Sequence, residues 1–290
     1  MQKLKTGIFL AIVSIALVTV SCSQKADMNA LILTGQNNHN WQESSRYLKD
    51  IIEKSGLFMV ETTQSPAQGE DMSEFIIDFS PYDLIVLDYN GDEWPEETKN
   101  NFVQYVENGG GILVYHASDN AFPDWPEYNQ MIGLGGWGGR DESSGPYVYI
   151  ENGEVVRDGS PGEGGTHGAQ REFVVEAFHP NHPITFGLPQ KWMHAKDELY
   201  ANLRGPAENM EILAFAHSLK TGKNEPMLMS ITYGEGRIFH TVLGHAGGGN
   251  FFPAMECAGF VTTTKRGAEW DATGKVKKEI PKNFSTEKKT

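Results

Sequence analysis

The stretch RIFHTVLGHAGGG, residues 237–249, places a histidine where an apolar strand ends. His245 follows the strand directly, and three glycines come after the next residue. Open α/β sheets bind ligands at the carboxyl ends of their strands, and glycines there allow the backbone to approach a ligand. The stretch is therefore typical of one wall of an active site, although a structural histidine beside a flexible turn would give the same pattern.

Three further strands are predicted to end in polar side chains. LTGQNNHNW supplies Asn38, His39 and Trp41, LDYNGDEW supplies Asp88, Asn90 and Asp92, and LVYHASDN supplies His116, Ser118 and Asp119. The carboxyl ends of parallel strands lie along one edge of a sheet, so four strands would bring polar groups to that edge. A single histidine is more often structural, but the repetition predicts a site at this edge.

A second polar region carries two adjacent carboxylates. HPNHPITFGLPQKWMHAKDELYANL holds His179, His182, His194, Asp197, Glu198 and Tyr200. Carboxylates of this kind can supply a general base, a metal ligand or acceptors for sugar hydroxyls, and a charged cap or loop is the structural alternative. Because neither an HExxH nor a CxxC pairing occurs, spacing alone does not identify a metal site.

The order of the predicted elements indicates how these groups meet. NALILTG, FMVETTQ, YDLIVLDYNG and GILVYHAS are typical of strands, and the helical stretches WQESSRYLKDIIEKSG and PEETKNNFVQYVENGG alternate with them. This order predicts a mainly parallel sheet with helices on both faces. REFVVEAF, MEILAFA, PMLMSITYGEG and RIFHTVLG predict the second half of the sheet, with a hairpin at YGEGR.

Residues 119–166 interrupt this pattern with a long segment rich in Gly, Trp, Pro and Tyr. Loops of this length are usually functional or disordered, and disordered segments are poor in aromatic residues. The segment is therefore predicted to be a functional insertion in a single α/β domain that covers residues 29–276.

The two ends of the chain are predicted to lie outside this domain. Lysines precede a short apolar run within residues 1–21, which is typical of a secretory signal peptide, and Cys22 follows it in a lipobox-like context. We expect lipidation of Cys22, a tether over residues 22–28 and a polar tail over residues 277–290. The protein would then be an exported periplasmic or cell-surface lipoprotein that contacts the membrane only through its lipid anchor.

Composition restricts the partners further. The formal net charge is −14, which argues against nucleic acid and anionic membrane surfaces and suits a neutral substrate. With Cys22 lipidated, Cys257 is the one remaining cysteine, so we expect no intramolecular disulfide. No P-loop or GxGxxG follows a first strand, and we expect no nucleotide cofactor.

Several motifs in this order resemble the ThuA-like (trehalose utilisation) family. They are ENGGGILVYHASD, HPITFGLP, DELY, GEGRIFHTVLGH and RGAEWDATGKV. The resemblance implies a flavodoxin-like sheet related to class I glutamine amidotransferases, a role in carbohydrate metabolism and a link to pathways of 3-keto-glycosides. Because no nucleotide cofactor is expected, a separate enzyme would oxidise the sugar. The motif matches carry over His116, Asp119, Asp197, Glu198, Tyr200, Gly244 and His245.

One departure from that superfamily concerns the nucleophile. An amidotransferase needs a cysteine at the sharp turn after the middle strand, where this chain has His116. We interpret Cys257 as a small buried apolar residue, and Ser118 lacks a GxSxG context. The chain is therefore not expected to be a cysteine-dependent amidotransferase.

The favoured hypothesis is a redox-neutral enzyme, an isomerase, epimerase, lyase or hydrolase, that acts on glycosides or 3-keto-glycosides. The catalytic candidates are His116, His245, Asp119 and Glu198, and the substrate-binding candidates are His39, Trp41, Trp137, Asp197 and Tyr200. Trp125 is a further candidate platform for a sugar ring. A divalent metal on the histidines and carboxylates is a second possible mechanism. The alternative function is a sugar-binding lipoprotein without catalysis.

Overall fold

The computed structural model describes residues 26–289, which form a mixed sheet with helices on both faces. The strands are β1 Met28–Thr34, β2 Phe58–Gln64, β3 Leu84–Leu87, β4 Gly111–Tyr115, β5 Tyr147–Glu151, β6 Glu154–Asp158, β7 Thr166–His167, β8 Arg171–Ala177, β9 Lys191–Asp197, β10 Tyr200–Ala201, β11 Met210–His217, β12 Asn224–Tyr233 and β13 Gly236–Thr241. The helices are α1 Trp41–Glu53, α2 Glu96–Glu107, α3 Pro126–Ile132, α4 Pro253–Glu256 and α5 Ala258–Thr273. Two short 3₁₀ helices cover His116–Asn120 and Glu142–Ser144.

The sheet has a parallel half and an antiparallel half. Strands β2, β1, β3, β4 and β13 are adjacent and parallel in that order, and β12, β11, β8 and β9 continue the sheet with antiparallel pairs. The hairpin predicted at YGEGR joins β12 to β13. The predicted flavodoxin-like, doubly wound α/β class is confirmed. Parallel pairing brings the carboxyl ends of β1, β3, β4 and β13 to one edge, as the sequence predicted.

Helices cover both faces because the parallel strands are apolar on both sides. Every residue of β3 is buried, as is every residue of β4, which is typical of strands sandwiched between helices. Successive residues of a strand point to opposite faces. In β13, Phe239 lies against Gly267 of α5, whereas His240 reaches the carbonyl of Ile132 in α3, 2.8 Å away.

The insertion is more regular than a loop. Residues 119–166 contain α3 and the antiparallel β5–β6 hairpin. Trp125 is buried against Trp94, Phe122 and Tyr128, with ring centroids 5.5–6.1 Å away. The expectation that Trp125 offers a platform for a sugar is therefore wrong, because its ring completes an aromatic cluster in the core.

The ends of the described chain differ in detail from the predicted boundaries. Strand β1 begins at Met28, inside the predicted tether, while the predicted signal peptide and Cys22 lie outside the described residues. The polar tail packs on the domain: the amides of Lys277 and Lys278 each donate to the Glu269 carboxylate at 2.9 Å. Within residues 26–289, no helix is both long enough and apolar enough to cross a membrane.

Helix α5 was not predicted from the sequence. Its centre contains three successive threonines, whose β-branched side chains lower helix propensity, and its polar and apolar residues are poorly segregated. Packing stabilises the helix instead. Gly267 lets α5 approach β13 closely, since a Cβ there would lie 2.6 Å from two ring atoms of Phe239.

This contact predicts that Gly267→Ala destabilises the protein. Alanine favours a helix by about 1 kcal/mol over glycine, but the overpacked methyl group is expected to cost about 1–3 kcal/mol and to reverse that gain. The measurement is urea unfolding followed by circular dichroism. Gly159→Ala is the control, because no atom of the described residues lies within 4 Å of the added methyl group. A Gly267→Ala variant more stable than the wild type would contradict the proposed packing.

Candidate functional site

A cleft of about 730 Å³ opens at the carboxyl edge of the parallel strands. It is lined by side chains that follow β1, β3, β4 and β13, together with residues from β7, β10 and the insertion. These are Asn38, His39, Asn40, Asn90, Asn120, Trp137, Gly138, His167, Glu198, Tyr200, His245, Gly247 and Gly248. The edge predicted from the strand ends therefore carries a cleft with a mostly polar lining.

His116 stands in a strained turn behind the cleft. The residue follows β4 directly and has φ 44°, a left-handed conformation that is unfavourable for a side chain with a Cβ. Two contacts hold it: Nδ1 lies 2.7 Å from the carbonyl oxygen of Val242, and the ring stacks on Tyr200 with centroids 4.3 Å apart. Burial, the largest effect, lowers the pKa of His116. The turn thus presents a buried imidazole whose other nitrogen, Nε2, has no hydrogen-bond partner among residues 26–289.

His39 is held by the loop after β1. Its Nδ1 lies 3.1 Å from the Oδ1 of Asn37, and the amide of Asn37 donates to the buried carboxylate of Asp88 at 3.2 Å. Burial and the neighbouring imidazoles of His116 and His245 lower the pKa of His39 to about 3. His39 is therefore a neutral imidazole at physiological pH. Asp88 fixes the position of its ring indirectly, through the side chain of Asn37.

The glycines after β13 make room for His245. Gly244 has φ 103°, and a Cβ there would lie 2.7–2.9 Å from the rings of Tyr115 and Phe260. A Cβ at Gly247 would lie 2.7 Å from the Nε2 of His245. The packing of Tyr115 and Phe260 therefore requires Gly244, and the ring of His245 requires Gly247. A Cβ at Gly248 or Gly249, in contrast, would meet no described atom within 4 Å.

Glu198 faces His245 across the floor of the cleft. Its Oε2 lies 3.1 Å from the Nδ1 of His245, and its Oε1 accepts a long hydrogen bond from Gln170 at 3.4 Å. Partial burial by itself would raise the pKa of Glu198, but contact with His245 and the charges of nearby histidines lower it to about 2. The carboxylate is therefore ionised at neutral pH.

These four side chains form one cluster at the base of the cleft, the His–Glu cluster: His39, His116, Glu198 and His245. One donor atom from each lies within 4.8 Å of the others. The three imidazole centroids are 4.7–5.5 Å apart. Such a cluster can move protons between a histidine and a substrate or hold a metal ion.

Asp197 lies under the cluster and binds backbone rather than ligand. Its fully buried carboxylate accepts hydrogen bonds from the amides of Gly244 at 2.7 Å and His245 at 2.9 Å, and its Oδ2 lies 2.7 Å from the Nε2 of His194. Burial would raise the pKa of Asp197, yet His194 and these donors lower it. Asp197 positions the loop that carries His245.

Cys257 takes part in the same buried network. Cys257 is buried, as the sequence predicted, but its Sγ lies 3.3 Å from the Nδ1 of His194, so its surroundings are not purely apolar. Burial would lower the pKa of His194, but Cys257 and Asp197 raise it to about 10, so the imidazole is charged at neutral pH. The contact with His194 also lowers the pKa of the Cys257 thiol, against the effect of burial. The sequence gives no sign of this contact, since 63 residues separate the partners.

Most of the predicted site residues lie in or directly behind the cleft, whereas two, Trp41 and Asp119, do not. The cleft is lined by His39, Trp137, Glu198, Tyr200 and His245. Behind this lining, His116 belongs to the His–Glu cluster and Asp197 binds the loop that carries His245. Trp41 begins α1 and is absent from the lining. Asp119 is fully buried, and its Oδ2 lies 3.7 Å from the Nε2 of His240, on the side of the sheet that faces α3.

The polar residues of the site that sequence reasoning missed include Asn40, Asn120, His167 and Gln170. His167 lines the cleft, and Gln170 hydrogen-bonds Glu198. His167 lies on β7, a two-residue strand that pairs with Tyr200 of β10. A strand of two residues leaves no alternation pattern, and a histidine in a glycine-rich stretch was the one available signal.

Comparisons with known proteins agree on the family. A sequence model of the ThuA family, described as trehalose utilisation, matches residues 29–270. A crystal structure of a ThuA-like protein from Parabacteroides merdae is 54% identical, with a TM-score of 0.88 over 90% of this chain and 96% of that one. A ThuA-like protein from Bacteroides uniformis, 18% identical, has the same fold at a TM-score of 0.56 over 88% of this chain and 94% of that one. Among curated proteins, none is significantly similar.

The network below the cluster predicts that Asp197→Asn is severely destabilising. Removal of the carboxylate leaves the buried charge of His194 without its partner and weakens the bonds to two amides, which is expected to cost about 3–5 kcal/mol. Urea unfolding at pH 7 measures the loss. Asp92→Asn, a carboxylate on the same edge that accepts one exposed bond from Gly69, should cost about 1 kcal/mol or less. Equal effects of the two substitutions would contradict a special role of Asp197.

Proposed function

Since the chain belongs to the ThuA, or trehalose utilisation, family, we propose that it is an enzyme that acts on a glycoside or 3-keto-glycoside in its cleft, by a redox-neutral reaction. The observation that carries the proposal is the position of the His–Glu cluster. His39, Glu198 and His245 both line the cleft and belong to the cluster, so a ligand in the cleft meets titratable groups. Binding alone does not require such a convergence.

The lining of the cleft favours an uncharged, hydroxyl-rich ligand. Four asparagines line it, Asn38, Asn40, Asn90 and Asn120, and each amide can both donate to and accept from sugar hydroxyls. Among the described residues of the lining, none is Lys or Arg, so an anionic substrate would find no paired charge. Trp137 adds a partly exposed aromatic ring at the wall, which suits the apolar face of a pyranose.

The cluster suits chemistry beside a carbonyl or hydroxyl group of the sugar. Isomerisation and epimerisation remove a proton next to a carbonyl and return it to another atom or to the opposite face of the same carbon, whereas elimination passes a proton to the departing oxygen as its C–O bond breaks; none of them needs an external oxidant or reductant. Ionised Glu198 and the adjacent His245 stand at the floor of the cleft, where such a carbon would lie. Tyr200 stays a neutral phenol, because burial raises its pKa well above the ordinary value, and it can donate a hydrogen bond there.

The cellular setting is proposed from the sequence alone. The predicted signal peptide and Cys22, both outside the described residues, make the protein an exported periplasmic or cell-surface lipoprotein. Outside the cytoplasm, NAD(P) and ATP are scarce, which fits a reaction that needs neither. Oxidation of the sugar at C3 would then belong to a partner enzyme.

The test is an assay of the mature chain with trehalose and with its 3-keto derivative, followed by NMR of the sugar. We expect conversion of at least one of them, and His245→Ala should lower kcat by about 10²–10⁴-fold, the usual contribution of an acid–base or equivalent group. His217→Ala is the matched control, since His217 is exposed at the end of β11, away from the cleft lining.

Two results would contradict the proposal in different ways. Saturable binding of the sugars by isothermal titration, with no conversion of a wider panel of glycosides and keto-glycosides, would make the protein a sugar-binding lipoprotein. The absence of both binding and conversion across that panel would remove carbohydrate as the ligand.

A further inference from the structure

We propose that the His–Glu cluster is a binding site for one divalent first-row transition-metal ion, with His39, His116, His245 and Glu198 as its protein ligands. The four donor atoms come from four separate segments of the chain and all lie within 4.8 Å of one another. Around an ion such as Zn²⁺, ligand atoms at about 2.0–2.1 Å stand roughly 3.4 Å apart in a tetrahedron. The 3.1 Å between His245 Nδ1 and Glu198 Oε2 is already such a spacing.

The hydrogen bonds on the outer side of two imidazoles fix which nitrogen faces inward. The Nδ1 of His116 lies 2.7 Å from the carbonyl of Val242, and a carbonyl can only accept, so this nitrogen carries the proton. The Nδ1 of His39 likewise donates to the Oδ1 of Asn37, whose own amide donates to Asp88. In both neutral rings Nε2 is left with a lone pair. Metal-binding histidines almost always donate their second N–H to a carbonyl or carboxylate in this way.

Two of the inward nitrogens have no hydrogen-bond partner among the described residues. The Nε2 of His116 and the Nδ1 of His245 are both buried and have no hydrogen-bond partner within residues 26–289. Although His245 Nδ1 lies 3.1 Å from Glu198, the two atoms lack hydrogen-bond alignment and sit side by side. A cation at the centre of the cluster would replace the missing hydrogen bonds of these nitrogens by coordination bonds.

The donor set selects the class of metal. Three imidazole nitrogens and one carboxylate suit Zn²⁺, Fe²⁺, Mn²⁺ or Co²⁺, whereas Ca²⁺ and Mg²⁺ prefer sites made of oxygen ligands. The site holds no thiolate, since the described cysteine, Cys257, contacts His194 instead. A second carboxylate oxygen of Glu198 is held from outside by Gln170, which orients the first toward the imidazoles.

A bound ion would also explain why the cluster lies at the floor of the cleft. Three of its four ligands line the cleft, so a carbonyl or hydroxyl oxygen of a ligand can complete the coordination from the open side. The metal would then polarise that oxygen as a Lewis acid. This step alone rests on the proposed action on sugars; the metal site itself does not.

The experiment measures metal content and metal affinity of the purified mature protein. Elemental analysis of the protein as isolated should find about one transition-metal ion per chain. After chelation, titration with Co²⁺ should give a saturable 1:1 visible absorption change, and Zn²⁺ should displace the Co²⁺. His116→Ala and His245→Ala should each weaken Co²⁺ binding by at least ~100-fold, and Asn37→Ala, which removes the outer bond of His39 together with the amide bond to Asp88, by about 10–100-fold.

His217→Ala is the control, because His217 is an exposed histidine at the end of β11, away from the cleft lining, and the variant should retain the metal. Thermal unfolding of each apo variant separates loss of a ligand from loss of the fold. Absence of 1:1 Co²⁺ and Zn²⁺ binding by the folded wild type would overturn the metal site, as would binding that survives both ligand substitutions. Metal binding without sugar conversion would leave the site standing and remove the proposed function, whereas sugar conversion by a protein that binds no metal would keep the proposed function and overturn the metal site.

Discussion

The buried carboxylate of Asp197 joins the two halves of the sheet at the point where the site is built. It stands at the end of β9 in the antiparallel half and accepts hydrogen bonds from the amides of Gly244 and His245, which follow β13 in the parallel half. A buried anion is tolerated because His194 lies 2.7 Å away and carries the compensating charge. Cys257 completes the network on the far side of His194. The loop with His245 therefore has one position relative to Glu198, the next residue after Asp197.

The hydrogen bonds of Asp197 explain why the site needs both the parallel and the antiparallel half of the sheet. The parallel strands supply three imidazoles, but their carboxylate partner comes from the segment after β9, more than forty residues before His245 in the chain. A site made from one edge of a parallel sheet would lack that carboxylate. The antiparallel extension thus has a direct function, since it carries Asp197 and Glu198 to the end of β13.

Sequence reasoning found the edge and most of the cluster because strand ends follow a general rule. Apolar runs located β1, β3, β4 and β13, and their parallel order brought His39, His116 and His245 together. The rule does not distinguish successive residues of a turn. His116 and Asp119 lie within one 3₁₀ helix, yet His116 belongs to the cluster whereas Asp119 is buried beside His240. Contacts such as that of Cys257 with His194 depend on tertiary packing and leave no local pattern.

The turn at His116 shows how backbone strain and the side-chain chemistry support each other. A strained turn between a strand and a helical segment presents a nucleophile in many α/β enzymes. Here the same geometry, with φ 44°, presents an imidazole. Its Nδ1 bond to Val242 and its stacking on Tyr200 offset the strain and hold the ring with Nε2 toward the cluster. A residue so constrained from behind cannot turn away to find another partner. The fold therefore fixes the direction of the Nε2 lone pair. Whether the cluster holds a metal ion or transfers a proton depends on the group that this lone pair contacts.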